Sequence, residues 1–333
     1  MKPFALAPYF HPTTVCVVDD NESFLESLCF EMPASWAWRS FVDPFEARDF
    51  LTEECALEPL ADRCLSAAPA GGSEAIIHLD LSLIEQEINH VERFRRVSVL
   101  IVDYAMPALN GLDLCAGLND PYLRTIMLTG VADEKLAVEA FNAGLLHRFV
   151  PKQGTDAIAT TIAYMEELNQ AYFAQHTARL RNALSVSPPQ FLMDPAIRTW
   201  VAQLMQQERF IEYYLVDEPP GFLLLRSDGS MQRLLILDAA ALHAQLDFAI
   251  RHNAPEAVRT SIGERRAACL FSGDQPGNYF GEERFGWAES MVTLEHIRGE
   301  TDWYLGVSID PPADIDFDAS RTSYDAYRAG LVR

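Results

Sequence analysis

Five short apolar runs, most of them ending on a polar or charged residue, constrain the fold of this chain more than any other feature. TVCVV (residues 14–18) runs into Asp19 and Asp20, VSVLIV (97–102) into Asp103, TIML (125–128) into Thr129, and RFVP (148–151) into Lys152, while WAWRSF (36–41) alternates like a further strand. Helix-like text separates them. NESFLESLCFEM spaces Phe24, Leu25, Leu28 and Cys29 at helical period. In DPFEARDFL, Asp43 stands as N-cap, Pro44 at the first helical position and Glu46 at the third, a capping box. NGLDLCAGL and DEKLAVEAFNAG supply two more helices, and another runs from Asp156 to about Leu184. Such alternation predicts an α/β doubly wound five-stranded parallel sheet.

Ligands of such sheets sit at the carboxyl ends of the strands, where loops converge and helix N-termini point inward. Asp19, Asp20, Asp103, Thr129 and Lys152 all fall there. Two carboxylates about 4 Å apart repel by about 4 kcal/mol at an effective dielectric near 20. A hard divalent cation with oxygen ligands, most naturally Mg2+, relieves that repulsion. Lys152, beside Lys2 and Lys135 one of only three lysines in the chain, offers a point charge for phosphoryl oxygen, and Thr129 a short hydroxyl. An aspartate is a competent nucleophile for an acyl phosphate, which makes Asp103 the expected acceptor.

VVDDNE, IVDYAMPALNG, MLTG and FVPK together resemble the receiver domain of two-component response regulators, the flavodoxin-like fold of the chemotaxis regulator. The resemblance implies Asp19 and Asp20 as a metal-site acidic pair, Asp103 as phosphoacceptor and metal ligand, and the Ala105 backbone carbonyl as a further ligand to Mg2+. It implies Thr129 as the switch hydroxyl, Lys152 as the conserved-type lysine and Phe149 as the switch aromatic. Ala105 and Val131 stand where the family flanks its attacking water, and neither side chain can hydrogen-bond, so slow self-dephosphorylation is expected. Pro151 before Lys152 and Gly130 after Thr129 are small departures from the pattern. The implied partner is a sensor histidine kinase or a phosphotransfer protein.

Two β-α units of ordinary length need about 45 to 50 residues, yet Asp20 to Asp103 spans 83. An insertion of about residues 53–96 is therefore expected. Within it APAGGS (68–73) is a loop, and residues 75–94 fit both a strand and a helix, with helical spacing persisting longer from about Leu81. The insertion is expected to pack on the receiver as a surface excursion; its apolar stripe also suits a dimer face. His78 and His90 lie too far apart in sequence, without carboxylate support, to suggest a metal site.

The expected domains are a receiver over residues 1–168, a helical connector and linker over 169–190, ending in SVSPPQ, and an α+β output over 191–333. The output spells FIEYYLV, GFLLL and MQRLLIL with a hairpin turn at Asp228-Gly229, then two helices, then AACLF, SMVTLEHI and TDWYLGVSI with a turn at Arg298-Gly299. That element order resembles a PAS-like module. GSMQRLLILD, with Asp238, resembles nucleotidyltransferase strands, but Ala240 stands where a second metal carboxylate belongs. GDQPGNYFGEERFG and DIDFDAS read as an acidic loop and a solvated acidic terminus.

The formal charge is −22, and residues 191–333 contain no lysine. Neither suits phosphate backbones or anionic membranes, and no helix-turn-helix signature is present, so no DNA and no membrane partner is expected. Six scattered cysteines without a C-x-x-C pair suit buried thiols in a reducing cytoplasm, and the first residues do not form a signal peptide. The expectation is thus a cytoplasmic Mg2+-dependent phosphoprotein with a non-DNA-binding interaction or ligand-binding output, by analogy in quorum-sensing-type signalling. It leaves room for a homodimer and needs no activity beyond phosphotransfer and self-dephosphorylation. The alternative is a receiver-gated enzymatic output that handles nucleotides.

Overall fold

The structure, a computed structural model, describes residues 6–55, 58–69, 75–118, 120–130, 140–184, 189–270, 290–309 and 315–331. The chain forms two compact units, residues 12–59, 91–178 and 328–333 in one and residues 1–11, 60–90 and 179–327 in the other. It passes from one to the other at five points.

The first unit holds the expected parallel sheet. Numbered along the whole chain, its strands are β2 (Thr14–Val18), β3 (Ala37–Phe41), β6 (Val97–Asp103), β7 (Arg124–Thr129) and β8 (Arg148–Pro151), in the order β3-β2-β6-β7-β8. β2, β6 and β7 are buried throughout, as expected of central parallel strands covered on both faces. Val15, Val17, Val99, Ile101, Ile126 and Leu128 face one core with Leu25 and Leu28 of helix α1 (Glu22–Glu31). Cys16, Val18, Leu100, Val102 and Met127 face the other with Ala47 and Leu51 of helix α2 (Pro44–Cys55). The capping expectation for α2 is met by Phe45 N donating to Asp43 Oδ1 at 2.8 Å.

The helix expected from Asp156 to Leu184 is two helices, Ala157–His176 and Ala178–Leu184. They part at Thr177, whose hydroxyl bonds the Phe173 carbonyl at 2.7 Å, the kind of side-chain back-bond that competes with continued helix. Ile158, Ile162 and Met165 pack on the sheet as expected.

The second unit is an antiparallel sheet of six strands. β9 (Phe210–Val216), β10 (Gly221–Arg226), β11 (Met231–Leu237), β14 (Glu295–Arg298) and β15 (Asp302–Val307) take the order β1-β9-β10-β11-β15-β14, with β1 (Tyr9–Phe10) from the chain start at one edge. SMVTLEHI is not one strand. Its first half, β13 (Met291–Thr293), pairs with β12 (Ala267–Cys269), and its second half is β14.

The division differs from the 1–168, 169–190 and 191–333 expected from chain order. Tyr9 and Phe10 pair with Tyr214 and Tyr213 of β9, and Leu215 N donates to Pro8 O at 2.8 Å. Most of the insertion also belongs to this unit. Leu65–Pro69 and Ala75–Leu79 form a hairpin, β4 and β5, so the ambiguous segment begins as strand. It then becomes a short helix, Ser82–Gln86, and two 3-10 turns. The short helix packs on β9, and Glu85 Oε1 meets the buried Arg233 of β11 at 3.3 Å. A buried guanidinium without a counter-charge would be costly, so this pair ties the insertion to the antiparallel sheet. Tyr172 and Phe173, expected in the connector, are buried in the parallel unit's long helix.

Asp194 pins the far end of the antiparallel sheet. Its Oδ1 accepts from Ala196 N at 2.9 Å, and its Oδ2 from Glu300 N at 2.6 Å and Trp303 Nε1 at 2.8 Å. A Cβ on Gly299 would lie 2.1 Å from this carboxylate, which is why the expected Arg298-Gly299 turn needs glycine. Burial raises the Asp194 pKa, but the bonds from Trp303, Ala196, Glu300 and Thr301 outweigh it and hold the carboxyl below its usual range. A depressed folded value stabilises the protein above the unfolded pKa of about 3.9, and that contribution disappears as pH falls through the folded value. Asp194→Ala is expected to cost about 2–4 kcal/mol in urea unfolding at neutral pH, because it removes a cap and strands several donors. The difference from wild type should shrink in acid; a cost below about 0.5 kcal/mol would show that water replaces the carboxylate.

Among the described residues, Cys16, Cys64, Cys115 and Cys269 are buried free thiols and Cys29 is partly exposed. No helix among them is long and apolar enough to cross a membrane.

Candidate functional site

Strand register assembles the site. β2 and β6 pair Val18 with Val102, so Asp19 and Asp103 leave the sheet side by side. β7 and β8 pair Thr129 with Pro151, and Lys152 N donates to Thr129 O at 2.8 Å. Asp19, Asp103 and Thr129 are buried, whereas Asp20 is exposed. Carboxylate oxygens of Asp19, Asp20 and Asp103 lie within 4.8 Å of one another.

Lys152 binds two of these carboxylates at once, with Nζ 2.6 Å from Asp19 Oδ2 and 2.8 Å from Asp103 Oδ1. Burial raises the pKa of Asp19, and the bonds from Lys152 and the Asn21 backbone oppose that shift. Three carboxylates and one ammonium leave a formal charge of −2 in a mostly buried pocket. A divalent cation matches that charge, and three carboxylate oxygens in one cluster suit a hard, oxygen-seeking ion. The donor set therefore fits Mg2+.

The loops are shaped around these groups. Asn21 N donates to Asp19 Oδ1 at 3.0 Å, and Asn21 caps α1 by accepting from Phe24 N at 3.1 Å. The Phe24 ring lies 4.7 Å from Lys152 Nζ, a cation–π contact that the sequence did not signal. After Asp103, Tyr104 N donates to Leu128 O at 2.9 Å and Ala105 is exposed. Ala108 has a positive φ of 68°, and Gly111 opens the following helix. A Cβ on Gly111 would lie 2.3 Å from the Asp103 carbonyl oxygen, so this glycine is required by close approach to the candidate acceptor itself.

Phe149 is partly buried against the core that contains Val102 and Met127. Val131 lies outside the described residues, as does GDQPGNYFGEERFG. His90 contacts Arg63 Nη1 at 3.2 Å, and nothing is described of the His78 side chain. Asp238 caps the helix Ala239–Arg251, accepting from Ala241 N at 2.7 Å.

No protein-family model and no curated protein matches the chain. Among solved structures, it is similar to the response regulator LqsR of Legionella pneumophila. The two are 26% identical with a TM-score of 0.79, over 99% of this chain and 98% of that one. The chain is a receiver-containing response regulator. Matches to single receiver domains cover about half of this regulator. One from Clostridium thermocellum is 20% identical over 47% of this chain and 98% of its own, with a TM-score of 0.31. Another from Methanospirillum hungatei is 15% identical over 48% and 96%, also with a TM-score of 0.31. The likeness to LqsR spans both units of the regulator, including the inserted segment and the antiparallel sheet.

Proposed function

We propose that this response regulator accepts a phosphoryl group on Asp103 from a histidine kinase or phosphotransfer protein. The observation that carries the reading is Lys152 bridging Asp19 and Asp103 inside a three-carboxylate cluster. Lys152 holds Asp103 Oδ1, which leaves Oδ2 to attack phosphorus. As that P–O bond forms, the bond from phosphorus to the donor's histidine nitrogen breaks, and the nitrogen keeps the electron pair. Asp19, Asp20, Asp103 and the Ala105 carbonyl would hold Mg2+, which when bound would neutralise charge on the phosphoryl oxygens. Lys152 then pairs with one of those oxygens and Thr129 donates its hydroxyl to another. The product carries about 1.5 to 2 negative charges where Asp103 had one, and Thr129 and Phe149 rearrange in response.

The output reading is an interaction or ligand-binding module in the cytoplasm, in small-molecule signalling of the quorum-sensing type. Its support is the absence of lysine from residues 191–333 together with an antiparallel sheet whose Asp238 serves as a helix cap.

Incubation of the whole protein with acetyl phosphate and Mg2+ tests the site. The expected product is one hydroxylamine-sensitive acyl phosphate per chain, and EDTA should suppress it. A hydroxylamine-resistant adduct, or one indifferent to EDTA, rules out the reading. Loss of the label after donor removal should be slow, because the Ala105 side chain offers no hydrogen bond to a water; a half-life of seconds contradicts that.

A further inference from the structure

α1 begins beside the acidic cluster, and its cap joins the two. Asn21 N donates to Asp19 Oδ1, while the Asn21 side chain accepts from Phe24 N. One residue thus fixes both the carboxylate before the helix and the backbone of Phe24 in its first turn. Leu25 and Leu28 of the same helix are buried in the core, whereas Phe24 is only partly buried at its margin. Its ring meets Lys152 instead, with Nζ over the ring and 4.7 Å from its centroid, inside the reach of about 6 Å for a cation–π contact. Lys152 arrives from the far side of the sequence, just past the end of β8, so the contact is no by-product of local helix geometry.

Among the described residues, the ammonium's neighbours are two carboxylates and this ring. Asp19 Oδ2 lies 2.6 Å from Nζ and Asp103 Oδ1 2.8 Å from it, within reach of two of its three N–H donors. In the proposed transfer Lys152 exchanges a carboxylate partner for a phosphoryl oxygen. The ring differs from a third oxygen in that exchange. It attracts the cation through its quadrupole, yet neither neutralises the charge nor takes up a strong hydrogen bond. It can therefore keep hold of the ammonium while the anionic partners change. A lysine stem is flexible, and the Lys152 side chain is 17% exposed, so without the ring the head group has a way out to solvent.

We infer that Phe24 is a positioning residue for phosphoryl transfer, holding the Lys152 ammonium beside Asp103 through the face of its ring. The inference rests on the phosphoacceptor reading of Asp103 and adds a part to it. Phe24 acts through Lys152 and not on the reacting atoms. Its contribution is electrostatic, which separates it from that of a side chain that merely fills space at the margin of the core.

The scarcity of lysine makes the contact readable. With only Lys2, Lys135 and Lys152 in the chain, isotopic labelling of lysine Cε in the full chain gives a sparse NMR spectrum, in which Lys152→Arg identifies the Lys152 signal. Without Mg2+ or phosphate, its Hε resonances should lie upfield of the other two, since ring current shields protons above a ring face, and Phe24→Leu should abolish that displacement. Under acetyl phosphate and Mg2+, Phe24→Leu should label about three- to tenfold more slowly than wild type. Phenylalanines carrying successively more fluorine, introduced at position 24 alone, should slow labelling in steps, because fluorine draws charge from the ring face while ring size hardly changes. A wild-type rate in Phe24→Leu or across the fluorinated series overturns the inference, and so does a Lys152 signal that Phe24→Leu leaves in place. If the wild type itself takes no label, the phosphoacceptor reading falls too; a labelled wild type with a flat fluorine series removes the role of Phe24 alone.

Discussion

Asp103→Asn is expected to abolish labelling by acetyl phosphate, with a loss of at least about a hundredfold, since an amide oxygen is a poor nucleophile. The variant should fold. It removes one of three crowded carboxylates, and Asp19 is already pushed toward its protonated form by burial. Relief of that repulsion should keep the melting temperature at or above that of wild type, so lost labelling cannot be ascribed to lost structure. Mg2+ should bind more weakly to the variant, because the formal charge of the cluster drops from −2 to −1. Equal labelling of variant and wild type would falsify the assignment of the acceptor. Label transferred to Asp19 or Asp20, mapped by peptide analysis, would do the same.

A fragment of residues 191–333 is expected not to fold cooperatively on its own. It lacks β1, which covers the edge of β9, and the insertion that packs on the same strand. Leu6, Tyr9, Leu60, Ile84 and Ile88, all buried in the antiparallel unit, would be missing from it. At about 1.5–3 kcal/mol for each fully buried apolar side chain, their loss removes roughly 10 kcal/mol, comparable to the whole stability of a domain. Arg233 would also lose Glu85, leaving a buried guanidinium with less charge compensation. The fragment should show no cooperative thermal transition and should bind dyes that report exposed apolar surface. A sharp melt matching that of the full chain would show that the excised strands are ornaments. Addition of residues 1–11 and 60–90 on separate peptides should restore structure in part.

How legible these features were in sequence follows the range of the interactions behind them. The parallel strands announce themselves as short apolar runs, and their polar ends mark the ligand side, so Asp19, Asp103, Thr129 and Lys152 could be placed together before any coordinates. Gly111 was legible as a loop former, but its contact with the Asp103 carbonyl was not. The fate of the insertion was hidden because nothing local in Tyr9-Phe10 or Ser82–Gln86 names β9 as a partner across more than a hundred residues. A two-residue strand has no period to detect. The Glu85–Arg233 pair likewise looks like two ordinary surface charges until the fold buries one of them. Asp194-Pro195 carries an ordinary capping signal, which could have been recognised; its reach to Trp303 and Glu300 could not.

The five passages of the chain between its two units bear on how such a protein could have arisen. A domain joined by one linker can be exchanged by a single genetic splice, whereas here an exchange would need matched joints near residues 11, 59, 90, 178 and 327. The two units are therefore expected to be inherited as one piece. New specificities in this lineage are expected to accumulate by point substitution within the existing pair, and not by shuffling a different second unit onto the same receiver.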